Sequence, residues 1–177
     1  KISKYVKSKY AVAVTSCSAA LHLSSSIIGM KNKNVVTSPI TFASTASSIL
    51  HSGGKLKFVD ISSRNINIDL DCLDKLNFNV NTIVPIHFSG AAVELKDFRS
   101  KNPKIKIIED SAHALGAKYK TGEMVGSCKF SDISTFSLHP AKTITAGEGG
   151  IITTNNKDYY DELKLFSNNG VQKNKEK

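Results

Sequence analysis

The sequence predicts an α/β protein, a three-layer arrangement with a mostly parallel sheet covered by helices on both faces. Two observations carry that prediction. Short, continuously apolar runs alternate with segments of helical character along the whole chain, and strands buried on both faces read as such runs. Turn residues close several of them, Pro39 after "NVVTS" and Gly53–Gly54 after "FASTASSILHS". At 177 residues the chain is long enough for one domain with a sizeable core.

The elements follow in order. The N-terminus, "KISKYVKSKYAVAVTS", lacks an initiator Met and begins as though partway along a helix, so a fragment is expected. "YAVAVTS" is a strand, its "AVAV" much too short for a signal-peptide core. "SAALHLSSSIIGM" is a helix with Ser18 as its N-cap. "NVVTSP" is a short strand, "FASTASSILHSGG" a helix, "KLKFVDI" a strand and "LDCLDKL" a short helix. "NTIVPIHF" reads as a strand, "AVELKDFRSKN" as a helix, and "KIKIIED" as a strand ending in two carboxylates. "ISTFSL" and "GGIITTN" are two more strands, and "KDYYDELKLFSNN" is the closing helix. The final "SNNGVQKNKEK" is polar and reads as a frayed end or a cut.

Composition narrows the function classes. A hydrophobic fraction of 40% and a charged fraction of 22% are ordinary for a soluble globular protein. No apolar run approaches the roughly 20 residues that span a membrane. The net charge of +9 is mostly lysine spread along the chain, which is either a solvated surface or a field that steers an anionic substrate. No basic tract with interleaved aromatics supports nucleic-acid binding. Cys17, Cys72 and Cys128 are scattered, with no zinc spacing, so no metal is expected and a reducing cytoplasm fits.

Ligands in such sheets gather at the carboxyl ends of strands, and four segments put reactive groups there. At "TSCSAALH" a helix start offers free amides and a dipole to a phosphate, or is an ordinary cap. At "SPITFAS", Phe42 either stacks on a flat ligand or belongs to the core. At "IIEDSAHALG", Asp110 calls for a cationic partner such as a protonated ring nitrogen, or caps the next turn, with His113 three residues on. At "FSLHPAKTITAGEGGIITTNN", Lys142 lies between a strand end and a glycine-rich turn. Spacing alone leaves it a surface lysine or a Schiff-base lysine, which needs a partly desolvated amine. Ser137 and His139 stand close enough in sequence to help hold a phosphate.

Taken together, "EDSAHALGAKY" and "SLHPAKTITAGEGGIITTNN" resemble the hallmarks of the DegT/StrS family of pyridoxal-phosphate-dependent sugar aminotransferases, E-D-x-A-H/Q and S-F-H-x-x-K with E-G-G after it. The likeness runs from about Tyr10 to about Gly170 and implies the large domain of the fold type I aminotransferases, expected over residues 1–170, with 171–177 a polar tail. It implies pyridoxal 5′-phosphate as cofactor. Lys142 matches the lysine that carries it and moves the proton, and Asp110 the carboxylate that keeps its ring nitrogen protonated. His113 matches the residue beside the ring hydroxyl, Phe42 the stacking aromatic, and Ser18 with the amide of Ala19 the phosphate cradle. Ser137 matches a second phosphate ligand. The implied substrates are glutamate and a UDP-linked 4-keto-6-deoxy sugar, with a dTDP-linked keto sugar or an inactive cofactor-binding fragment as alternatives. The implied assembly is a homodimer. Leu138 replaces the usual phenylalanine, Cys17 a small residue, Ala91 a larger polar one, and "FSNNG" the family's R-x-H-G. Family members also carry a small C-terminal domain, expected to be missing from this chain.

Overall fold

A computed structural model describes residues 1–171. Residues 172–177, most of the expected polar tail, lie outside the described residues. The chain runs α1 (Ile2–Val6), β1 (Tyr10–Val14), α2 (Cys17–Ile28), β2 (Asn34–Thr37), α3 (Ala43–His51), β3 (Lys55–Phe58), β4 (Thr82–Ile83), α4 (Lys96–Lys101), β5 (Lys106–Asp110), β6 (Ile133–Ser137), β7 (Gly150–Thr154) and α5 (Lys157–Ser167). One seven-stranded sheet has the order β1-β7-β6-β5-β4-β2-β3. Only β7 runs against its neighbours, β1 and β6; the other pairings are parallel.

Neighbouring residues on one strand feed opposite cores. Ile107, Phe136 and Ile151 join one buried cluster with Leu95, Phe98 and Tyr119. Ile108, Ile133 and Ile152 join the other with Leu21 and Ile28 of α2, Ile49 of α3 and Leu163 of α5. Both faces are thus covered, which is why these strands lack the apolar–polar alternation of a half-exposed sheet. Their polar residues are satisfied internally: Thr135 donates to the Glu109 carbonyl and Thr153 to the Gly126 carbonyl.

Three expectations are corrected, and the short helix expected over "LDCLDKL" is present in 3₁₀ form. The strand over "NTIVPIHF" shrinks to Thr82–Ile83, because Pro85 has no N–H to donate. Pairing with β5 resumes at an isolated bridge between Ile86 and Asp110. "LDCLDKL" is a 3₁₀ helix, Leu70–Lys75, capped by the Asp69 side chain. Helix α4 starts only at Lys96, since Ala91 is extended and the Val93 N–H is taken by the His87 side chain. The N-cap of α2 is Ser16, not Ser18; its hydroxyl accepts from the Ala19 N–H at 3.1 Å.

The start of β7 seats directly on the β1–α2 turn. A Cβ at Gly150 would stand 2.2 Å from the Ser16 carbonyl oxygen, so only glycine allows this approach. Gly150→Ala is expected to cost about 1–3 kcal/mol in urea denaturation, toward the upper end because the atoms it meets are backbone. Gly149→Ala, whose Cβ would meet only the Leu138 side chain at 3.3–3.7 Å, should cost clearly less. Equal losses from the two would contradict this packing.

Candidate active site

The carboxyl ends of β5 and β6, the starts of α2 and α3 and the β6–β7 loop enclose a cavity of about 350 Å³. Its walls carry Ser16, Cys17, Ser18, Phe42, Asp110, His113, Ser137 and Lys142. Strand reversal explains the convergence: Val14 and Ser137, the last residues of β1 and β6, both pair with Gly150 at the beginning of β7.

Asp110 is 4% exposed. Its Oδ2 accepts from the Thr45 hydroxyl at 2.6 Å and its Oδ1 from the Ala112 N–H at 3.2 Å. Thr45 Oγ1 lies 2.8 Å from Thr41 Oγ1, and having given its proton to Asp110 it accepts from Thr41. Asp110 therefore steadies the next turn, as one of its two expected roles, and also presents a carboxylate to the cavity. Two neutral donors are a thin shell for a buried charge, which suits a site completed by a cation.

Lys142 follows a turn built from short-range bonds. The His139 N–H donates to Ser137 Oγ (3.3 Å), and the Ala141 N–H to His139 Nδ1 (3.1 Å). Further along, the Leu138 carbonyl accepts from the Thr145 hydroxyl at 3.0 Å and from the Ala146 N–H at 3.0 Å. Lys142 is thereby turned inward, half-buried at the cavity wall rather than free on the surface. Its Nζ donates to His113 Nε2 at 2.7 Å, which places the His113 proton on Nδ1. Burial, and next the charge of Lys142, lower the His113 pKa; Asp110 opposes them. His113 is therefore a neutral acceptor toward the amine.

At the other end, the first turn of α2 brings its amides to the wall. Ser18 is exposed to the cavity. Ala19 does not line it, and its N–H is engaged by the Ser16 cap. Cys17 touches the cavity, and burial and then Asp110 push its thiol pKa far above the usual range, which favours the neutral thiol over the thiolate. Phe42 is 78% exposed, a large apolar ring left open at the mouth.

Sequence reading missed Thr45 and Ser16. The signal for Thr45 was present: Thr45 and Ser48 are hydroxyl residues on the buried face of α3, where apolar side chains are the rule. Glu109, the second strand-end carboxylate, is itself fully buried and bonds His87, Tyr119 and the half-buried Ser131 rather than lining the cavity. Among the described residues no group of three or more potential ligands could hold a metal ion, and no helix is long and apolar enough to cross a membrane.

Known proteins match both the sequence and this arrangement. The family model described as the DegT/DnrJ/EryC1/StrS aminotransferase family matches residues 1–177. The UDP-4-amino-4,6-dideoxy-N-acetyl-beta-L-altrosamine transaminase of Campylobacter jejuni (serotype O:23/36, strain 81-176) is 38% identical over 97% of this chain and 46% of its own length. Among solved structures, Helicobacter pylori PseC, an aminotransferase involved in the biosynthesis of pseudoaminic acid, superposes with a TM-score of 0.86 at 30% identity, over 99% of this chain and 48% of that one. The putative sugar aminotransferase Spr1654 of Streptococcus pneumoniae in its PLP form gives 0.81 at 26% identity, over 93% of this chain and 47% of that one. The chain spans about half the length of the curated relatives it matches.

Proposed function

The chain belongs to the DegT/DnrJ/EryC1/StrS aminotransferase family, and from that membership we propose that it forms the cofactor-holding part of a pyridoxal-phosphate-dependent aminotransferase. The reaction moves the amino group of glutamate to the 4-keto carbon of a UDP-linked 4-keto-6-deoxy sugar. One observation carries the reading: the Lys142 amine and the Asp110 carboxylate line one cavity with a helix N-terminus on its wall.

The residues present fit pyridoxal 5′-phosphate. The first turn of α2 with Ser18, and Ser137 across from it, suit the phosphate. Phe42 offers one ring face, an assignment that accounts for its exposure. Asp110 suits the ring nitrogen and His113 the ring hydroxyl. When bound, the cofactor supplies an aldehyde carbon that takes up an amine and a conjugated ring that accepts electrons. The chain supplies the proton movements. Lys142 Nζ takes the proton from the α-carbon of glutamate in one half of the reaction and returns one to C4 of the sugar in the other. Asp110 keeps a proton on the ring nitrogen by holding a negative charge beside it. His113 keeps Nζ at the cavity wall through a lone pair rather than a charge.

A homodimer is part of this proposal. Ile40 and Ile144 are 41% and 47% exposed, on the segments that carry the ring-stacking residue and the lysine. A second copy would cover them.

The test is a substrate panel on the protein at its natural length, loaded with cofactor and supplied with glutamate. UDP-4-keto-6-deoxy-N-acetylhexosamines should be aminated at C4 at least about tenfold faster than dTDP-4-keto sugars, and the enzyme should sediment as a dimer. A preference for dTDP sugars would move it to another nucleotide, and no 2-oxoglutarate with any keto sugar would end the transaminase reading.

A further inference from the structure

We propose that the buried Glu109–His87 pair is a positioning device for the active site: it clamps the strained Phe88–Gly90 turn, and that turn sets the place of His113 and hence of the Lys142 amine. Glu109 and His87 are both fully buried. His87 Nε2 lies 2.6 Å from Glu109 Oε2. The tautomer is fixed by the other ring nitrogen, because His87 Nδ1 accepts the Val93 N–H at 2.9 Å. Nε2 therefore carries the proton and donates to the carboxylate. Tyr119 and Ser131 donate their hydroxyls to the same carboxylate. Three donors thus hold Glu109, and through it the imidazole, at a depth where a loose polar group is costly.

The clamped segment needs holding. Ser89 has φ 49 and ψ 24, and Gly90 follows at φ 85. A non-glycine residue in the left-handed region is strained and persists only where its surroundings over-determine it. Here the restraints come from both ends: His87 anchors the entry and, through the Val93 N–H, the exit. Asn67 adds a third tie by accepting the Phe88 N–H at 3.0 Å and donating to the Ala91 carbonyl at 3.0 Å.

The turn meets His113 twice. The Phe88 ring stands edge-on to the imidazole, with centroids 6.3 Å apart. Gly90 lies so close that an added Cβ would come within 3.1 Å of the His113 carbonyl. His113 in turn holds Lys142 Nζ at 2.7 Å. None of the four clamp residues lines the cavity; Phe88, which does, carries their hold to the His113 ring, beside the backbone bond from the His87 N–H to the Asp110 carbonyl at 3.0 Å.

The inference rests on the aminotransferase reading for its consequence in catalysis, but its test needs no cofactor. The His113 imidazole is titrated by NMR in the cofactor-free protein at natural length, with H113Q to assign its resonance. The charged groups facing His113 are Lys142 and Asp110. K142A should raise the midpoint by removing the nearby cation, and that shift sets the scale. E109Q and H87F should each raise it by at least half as much, with His113 released from Nζ, whether or not thermal stability falls. Should E109Q prove unable to fold, Y119F removes a single donor to the carboxylate and should raise the midpoint by a smaller but resolved amount. An unmoved midpoint in a folded clamp variant, with only the melting temperature lowered, would overturn the proposal and leave the cluster a plain structural one. Failure of the cofactor to bind wild-type protein would count against the aminotransferase reading alone.

Discussion

Lys142→Ala should lower kcat for amino transfer by about 10³-fold or more, because a positioned acid–base group alone contributes about 10²–10⁴-fold. The geometry gives reasons beyond the residue type. Lys142 is half-buried and lines the cavity, with its Nζ held by a neutral imidazole at 2.7 Å. Among the described residues no other lysine lines that cavity. Lys142→Arg should be nearly as inactive, since a guanidinium keeps the charge but neither gives up its proton nor takes its place as a nucleophile. Both variants should keep the fold, because the turn around Lys142 is held by backbone and hydroxyl bonds rather than by the amine. Steady-state rates alongside thermal melting check this. A tenth of wild-type activity remaining in Lys142→Ala would remove the residue from the chemistry.

Asp110→Asn should cost about 10²- to 10⁴-fold in kcat, the equivalent of about 3–5 kcal/mol for breaking a buried charge pair. Asparagine fills the same volume but carries no charge to keep a proton on a ring nitrogen. One face of its amide is also a donor, whereas the Thr45 hydroxyl and the Ala112 N–H both point donors at the native carboxylate. The substitution should therefore change the absorbance of the bound cofactor and its pH dependence as well as the rate. A variant with a wild-type spectrum and rate would show that Asp110 serves the turn at Ala112 and nothing more.

Much of this site was legible because its parts lie in local patterns. The run "KIKIIED" marks a buried strand with Asp110 at its end, and "SLHPAKTITAGEGG" shows a strand end, a lysine and glycines in one stretch. The structure adds why the last glycine is there: Gly150 meets the Ser16 carbonyl, a contact between residues far apart in sequence. What was not legible depends on tertiary pairing. Ser16 and Ser18 are equally good caps on paper, and the register is settled by Cys17, which turns into the core. His87 and Glu109 stand 22 residues apart, and nothing in periodicity couples them. The shortening of β4 was half-visible, since Pro85 sits within the apolar run, but the single bridge at Ile86 that brings the ladder back to Asp110 is a property of the folded sheet.

If Lys142 is the covalent anchor of the cofactor, borohydride should fix the cofactor there. Pyridoxal 5′-phosphate is added to the protein at its natural length, the complex is reduced with borohydride and digested, and the peptides are mapped by mass spectrometry. One cofactor-bearing peptide is expected, the one that contains Lys142, and none from Lys142→Ala. A label on any other lysine, or a bound cofactor that borohydride leaves unattached, would contradict it.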